Sequence, residues 1–317
     1  MKASRYLAIT GGVGGAKLAL GLTQLLAADR LALAVNTGDD FRHLGLHVAP
    51  DIDTLVYTLA GESNPDTGWG RREESWNFME ALAGLGGETW FALGDRDLAM
   101  NVTRTHRLAS GQTLTQVTAA LAGSLGVAHP ILPMSDDPVH TRVRTGTGLL
   151  DFQHYFVRER CVPVVTGFEF DGADKARLNP DIERWLDNPD LAGIILCPSN
   201  PFVSIDPVLS LPDLRDRLRE SAAPVIAVSP VIAGSAIKGP TVKMMQELSV
   251  PNTATWVADH YRDFLNGFIL DEEDLALKPE IEALGLMTRV TNTVMVTLED
   301  RVSLARSCLD FLQTLRE

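Results

Sequence analysis

At 317 residues, with 45% hydrophobic and 22% charged residues, the chain is long enough to bury a full globular core. Its formal net charge of −13 argues against a general binder of nucleic acid or anionic membrane, since either needs a basic surface. Cys161, Cys197 and Cys308 are odd in number and widely spaced, which speaks against a disulfide framework or a zinc cluster, and no apolar run reaches the length of a membrane span. A cytoplasmic protein is expected.

In chain order, Tyr6–Thr10 reads as a short buried strand that runs into Gly11, Gly12, Val13, Gly14, Gly15, Ala16 and Lys17, and then into the apolar helical stretch Leu18–Leu26. Leu31–Val35 is a second strand, ending in Asn36-Thr-Gly-Asp-Asp40, and Thr54 opens a helix after Pro50-Asp-Ile-Asp. Residues 69–79 and 98–127 have helical spacing, the latter broken at Gly111, and Glu88–Leu93 reads as a strand between them. Val139–Thr145 and Leu149–Val157 form a hairpin about Gly146-Thr-Gly148. Gly193–Cys197 and Val225–Val228 are further strands, Thr253–Phe268 and Glu299–Leu315 helices, and Val290–Leu298 a last strand.

This alternation predicts an α/β fold, Rossmann-like, with a mostly parallel sheet, helices on both faces and an inserted smaller α+β portion holding an antiparallel hairpin. One domain over 1–317 is expected, the insertion lying around 98–180. Polar clusters close strand after strand, and ligands of open α/β sheets bind outside the strands' carboxyl ends. One cleft lined by residues far apart in sequence follows.

The chemistry of these clusters narrows the cleft's use. Gly11, Gly12, Gly14 and Gly15 with Lys17 make a strand-loop-helix device whose amides and helix terminus suit phosphate, although a glycine-rich turn that only reverses the chain has the same composition. The loop matches neither the dinucleotide fingerprint, whose sixth position is Lys17 here, nor a Walker A loop. Asp39, Asp40, Asp51 and Asp53 crowd within fifteen residues, an arrangement that suits a hard cation such as magnesium, while Asp51 or Asp53 alone could be a helix cap. Arg96, between Asp95 and Asp97, can fork onto a phosphate or a ring carbonyl. Ser199 and Asn200 lie between prolines in a rigid turn, and Lys238 with Gly239 makes a second glycine loop before a helix. His43 and His47 lie nearest the acidic run. No nucleophile–base pair of a hydrolase is present, which leaves phosphoryl-type transfer.

Together these ordered motifs, with Leu132-Pro-Met-Ser-Asp-Asp-Pro138, resemble the 2-phospho-L-lactate transferase family, CofD with its actinobacterial relatives. The resemblance implies a magnesium-dependent step in coenzyme F-420 biosynthesis. A phospho-acid unit (2-phospho-L-lactate, phosphoenolpyruvate or phosphoglycerate) would pass from a GDP-activated donor, such as lactyl-2-diphospho-5'-guanosine, to the ribityl hydroxyl of the deazaflavin 7,8-didemethyl-8-hydroxy-5-deazariboflavin (Fo). The products would be F-420-0 or its dehydro form and GMP. It further implies that Asp53 and Arg96 bind Fo, that Asp39 or Asp53 is the base, and that Asp39, Asp40 and Asp51 hold the metal. The glycine loop, Lys17, Ser199, Asn200, Lys238 and Gly239 would face the nucleotide, and the assembly would be a homodimer. A non-catalytic regulator that binds nucleotide sugars shares the glycine loop and is the alternative, but its Asp-Asp-Gly-Gly-Ser-Ser-Gly run is replaced here by Asp39-Asp-Phe-Arg-His-Leu-Gly45.

Overall fold

The computed structural model describes residues 4–236 and 239–317. Its strands are β1 (Arg5–Thr10), β2 (Leu31–Val35), β3 (Phe41–His43), β4 (Leu46–Val48), β5 (Ile131–Pro133), β6 (His140–Thr145), β7 (Gly148–Asp151), β8 (Val165–Asp171), β9 (Leu191–Leu196), β10 (Val225–Val228), β11 (Val231–Ile232), β12 (Ser235–Ala236), β13 (Gly267–Leu270) and β14 (Met287–Val290). Among the described residues, seven of them form one parallel sheet in the order β14-β13-β10-β9-β1-β2-β5. The order reverses at β1, which lies between β2 and β9 in register from Tyr6↔Leu31 and Tyr6↔Gly193 onward. This is the switch point at which such sheets open a crevice.

Successive side chains of these strands enter two different cores, as the period of two requires. Leu7, Ile9, Ala32, Ala34, Ile194, Leu196, Val225 and Ala227 face one side, with Val143, Tyr155 and Ile182 packed above them. Ala8, Leu31, Leu33, Val35, Ile195, Ile226 and Val228 face the other. There they meet α1 (Gly12–Leu25) and α2 (Pro50–Ala60) through Leu18, Leu22, Ile52 and Leu55, and the C-terminal helix Leu298–Thr314 through Leu304, Cys308 and Phe311. Two helices on that face start with full capping boxes, Thr113 with Gln116 before α5 (Leu114–Ser124) and Thr297 with Asp300 before the C-terminal helix. α2 stops because Gly61 takes a left-handed φ of 70°. Between these lie α3 (Asn77–Gly84) and α4 (Asp95–Ala109), the break between α4 and α5 falling at Gly111 with φ 88°. Among the described residues no helix is long and apolar enough to cross a membrane.

Several expectations need correction. Residues 88–93 are irregular, and the edge place beside β2 belongs to β5, whose Leu33↔Ile131 register starts a three-residue strand too short to announce itself. Trp90 and Phe91, which gave 88–93 its strand-like look, instead pack on Phe41 and His43. Residues 69–76 are irregular apart from a bridge between Arg71 and Ser63, and the helix there begins only at Asn77. The second hairpin strand ends at Asp151, and the chain turns into a π-helical segment over His154–Arg158, so that Tyr155 can enter the core. β8 adds a third strand to that small sheet, order β7-β6-β8. The stretch 253–268 holds two elements, a helix Ala254–His260 and then β13, whose buried Gly267-Phe-Ile-Leu run is apolar enough to continue a helical pattern. The last sheet strand ends at Val290, where a strand was expected to start, and residues 291–297 are irregular.

Candidate active site

The site is built at the carboxyl ends of β1, β2 and β9, and Asn36 ties them together. Its side-chain amide donates to Asp39 Oδ1 at 3.0 Å, to Asp51 Oδ2 at 3.0 Å and to the Val203 carbonyl at 3.2 Å, while its own Oδ1 accepts from the Gly38 amide at 2.8 Å. The loop after β1 joins the same knot. Gly12 N–H donates to Asp51 Oδ1 at 2.7 Å and Gly11 N–H to Ser199 Oγ at 3.3 Å. Helix α1 thus starts inside the glycine loop, with Gly12 at a left-handed φ of 63° and a carboxylate from α2 on its first amide.

The close approach explains the glycines. A Cβ on Gly14 would lie 2.3 Å from the Pro198 carbonyl oxygen, and one on Gly15 would lie 2.1 Å from Thr10 Oγ1. Lys17, expected to face the nucleotide, donates from Nζ to the Met295 carbonyl at 2.8 Å, on the side of the C-terminal helix. Asn200 caps the π-helical turn Pro201–Ile205 by accepting from Phe202 N–H at 3.0 Å. Gly239 is exposed with φ 78°, and Lys238 lies outside the described residues.

Of the three acidic residues expected to hold metal, two converge and one diverges. Asp39 and Asp51 share Asn36 and are both buried, and Gln153, delivered by the chain leaving β7, donates to Asp39 Oδ2 at 3.3 Å. Burial first, and then the charges of Asp51 and Asp40, hold the Asp39 carboxyl well above the usual carboxylate range. Burial pushes Asp51 up to about 6, against the opposing pull of its bonds from Asn36 and Gly12. Asp40 turns the other way. Its Oδ2 meets His47 Nε2 at 3.0 Å, and burial raises its pKa although His47 and Arg104 pull it down.

A magnesium ion fits part of this set. Two buried carboxyl groups bridged by one neutral amide disfavour full ionisation without a cation, and magnesium is commonly held by one or two carboxylates together with substrate phosphates. Asp39 and Asp51 would be those ligands, and Asp40, engaged by His47, would not. Among the described residues no group of three His, Cys, Asp or Glu side chains forms a ready metal cage.

Asp53 and Arg96, expected to act together, stand apart in their contacts. The Asp53 carboxylate is held by the buried guanidinium of Arg104, and Arg96, 45% exposed, lies 3.7 Å from Glu73. Burial pushes Asp53 up to about 7, with Arg104 lowering it and Asp97 raising it again. Asp97 does not cap α4. It takes the Tyr57 hydroxyl at 2.6 Å, and Glu74 caps α4 instead, accepting from Arg96 N–H and Asp97 N–H at 2.8 Å each. Asp95 returns the favour, accepting from Asn77 N–H at 3.2 Å and Phe78 N–H at 3.1 Å at the start of α3. Gly94 is needed for this exchange, since its Cβ would lie 2.2 Å from the Glu74 carboxyl carbon.

Asn36, Gln153, Arg104, Tyr57 and Glu74 were not singled out from sequence. Asn36 had a signal, a polar residue at a strand's carboxyl end beside the acidic run. Tyr57 lies four residues after Asp53, and Asn101 and Arg104 lie four and seven after Asp97, polar positions on helix faces that should have been apolar. Gln153 and Glu74 lie in stretches read from sequence as a hairpin strand and a helix, and the structure places neither residue in the expected element.

The chain as a whole is similar to known proteins. The family model of 2-phospho-L-lactate transferase CofD matches residues 7–287. A phosphoenolpyruvate transferase of Streptomyces griseus is 35% identical over 98% of this chain and 99% of its own, and one of Mycolicibacterium smegmatis is 36% identical over 95% and 97%. A 2-phospho-L-lactate transferase of Methanosarcina mazei is 34% identical over 93% and 96%. A crystal structure of a protein of the upf0052 family from Bacillus halodurans superposes with a TM-score of 0.62 over 98% of this chain and 99% of that one, at 12% identity, a likeness of fold alone. Matched over nearly its whole length by the family model and by transferases at more than a third identity, the chain belongs to the 2-phospho-L-lactate transferase (CofD) family.

Proposed function

We propose that the protein transfers a phospho-acid unit from a GDP-activated donor to the ribityl hydroxyl of Fo, with release of GMP. The observation that carries this reading is the knot about Asn36, which gathers the glycine loop, Asp39, Asp51 and the 198–204 turn at the switch point of the sheet. The acceptor oxygen attacks the phosphorus that bears the acid, the bond from that phosphorus to the bridging oxygen breaks, and GMP leaves with the electron pair. The hydroxyl proton goes to a carboxylate. Asp53, with its pKa pushed up to about 7, has the basicity for that role at neutral pH, and Asp39 is the other candidate. Magnesium held by Asp51, and by Asp39 where Asp53 is the base, would neutralise charge on the diphosphate.

On this reading Asp53 and Arg96 contact Fo, and Ser199, Asn200, Lys238, Gly239 and the amides of Gly11, Gly12, Gly14 and Gly15 line the donor side. Lys17 joins them after leaving the Met295 carbonyl. A cytoplasmic homodimer is part of the same proposal. Relatives named for the lactate unit and for the enolpyruvate unit match at 34% and 35–36% identity, so donor choice has to be read from products. Incubation with Fo, magnesium and the three competing donors, followed by mass spectrometry, should give one phosphodiester adduct and an equal amount of GMP. Fo binding without product from any donor would refute the transferase assignment.

A further inference from the structure

Helices α2 and α4 are joined by paired polar side chains. α2 offers Asp53 and Tyr57, one turn apart, and α4 offers Asp97, Asn101 and Arg104, four and three residues apart along one face. They pair in two rungs, Asp53 with Arg104 and Tyr57 with Asp97. Within α4, Asn101 links the rungs, donating to the Asp97 carbonyl at 2.9 Å and accepting from Arg104 Nη1 at 2.7 Å. Arg104 is 1% exposed, and its Nη1 also reaches the His47 carbonyl at 3.3 Å. A buried arginine among Asp40, Asp53 and Asp97 is costly unless its geometry is fixed, and apolar residues would hold two helices together at lower cost. Its place here points to a task beyond cohesion.

We propose that Arg104 is a positioning residue for the acceptor side of the site. It grips Asp53 through Oδ1 and so fixes the direction of that carboxylate. Because α4 also carries Arg96 in its first turn, the same grip sets the spacing between Asp53 and Arg96, the two groups assigned to Fo. This inference rests on the reading of those two residues as acceptor contacts. Loss of Arg104 should therefore weaken acceptor recognition and leave donor recognition, built on Asn36 and the glycine loop, in place.

The test uses the full chain with Arg104→Met, Arg104→Lys and Asp53→Asn, and the double variant Asp53→Asn/Arg104→Met. Fo binding is followed by fluorescence titration, and KM is measured separately for Fo and for the donor. The expected result is a rise in Kd and KM for Fo of at least tenfold in Arg104→Met, partial recovery in Arg104→Lys, and a donor KM within twofold of wild type. The double variant should bind Fo no more weakly than the worse single variant, because the two side chains act as one unit. Unchanged Fo affinity in a folded Arg104→Met, an equal rise in both KM values, or losses that multiply in the double variant would each overturn the inference. If Arg104→Met does not fold, Arg104→Lys decides: with an unchanged melting temperature it must bind Fo several-fold more weakly, and wild-type affinity overturns the proposal. Absence of Fo binding by the wild-type chain would remove the functional reading and this inference with it.

Discussion

Replacing Asp51 by asparagine should make the metal-free protein more stable at pH 8 and not at pH 4. Asp51 is buried at the start of α2, and burial, the largest influence, lifts its pKa from an ordinary 3.8 to about 6. The folded chain therefore binds this proton more tightly than the unfolded one. Its contribution to stability is complete below pH 3.8 and is lost as pH rises through about 6. At about 1.4 kcal/mol per pH unit, the ionised form costs the fold about 3 kcal/mol at pH 8. Asparagine never pays that cost. It can still accept the Gly12 amide, but its NH2 would face the Asn36 NH2, a lost hydrogen bond of about 1 kcal/mol. The net gain is about 2 kcal/mol at pH 8, turning into a small loss near pH 4, and relief of the neighbouring Asp39 adds to the gain. Urea denaturation in the presence of a chelator, from pH 4 to pH 8, measures the difference. A variant that is less stable at pH 8, or a difference that does not change with pH, would refute the reasoning. Millimolar magnesium at pH 8 should then stabilise wild type more than the variant, since one of its carboxylates is gone.

Other perturbations test other parts of the site. Gly14→Ala places a Cβ 2.3 Å from the Pro198 carbonyl oxygen and should destabilise by about 1–3 kcal/mol or more, read as a fall in melting temperature. Tyr57→Phe removes the 2.6 Å bond to Asp97 and leaves a buried carboxylate short of a donor, at about 1–3 kcal/mol by the same measurement. Glu74→Ala frees the Arg96 and Asp97 amides at the start of α4 and should cost about 1 kcal/mol, with more rapid amide exchange confined to that first turn. If Asp53 is the base, kcat should rise with pH through about 7, because only the deprotonated carboxylate accepts the hydroxyl proton, and a kcat flat from pH 5.5 to 8.5 would count against that role.

The sequence exposed the framework because buried parallel strands leave continuous apolar runs ended by polar clusters, as at Leu31–Val35 before Asn36 and Val225–Val228 before Ser229. It failed where packing overrode local pattern. Glu88–Leu93 has strand composition, but its rings found a partner surface in Phe41 and His43 rather than a neighbouring strand. Met287–Val290 has little to distinguish it, and becomes a strand because β13 offers it an edge. In the site, the acidic residues are visible as a group, whereas their division depends on packing that no local pattern encodes: α2 against the end of β2 for the Asn36-bound pair, the β3–β4 hairpin for Asp40 and His47, and α2 against α4 for Asp53 and Arg104.

That division changes what the glycine loop means. Glycine was read as room for a phosphate, yet Gly14 and Gly15 first make room for Pro198, Thr10 and Ser199, and the Gly11 and Gly12 amides are already matched to Ser199 and Asp51. A carboxylate on the first amide of a helix is what an anion site holds when the anion is part of the protein. Asp51 therefore links two jobs. The amide that would meet a phosphate and the carboxylate that would hold a metal are bonded to each other, and on the proposed function a donor arriving with magnesium would satisfy both at once. Neither component alone offers that exchange. Donor and metal should accordingly bind with positive coupling, measurable by calorimetry as a tighter GDP affinity in magnesium than in chelator, and the coupling should disappear in Asp51→Asn.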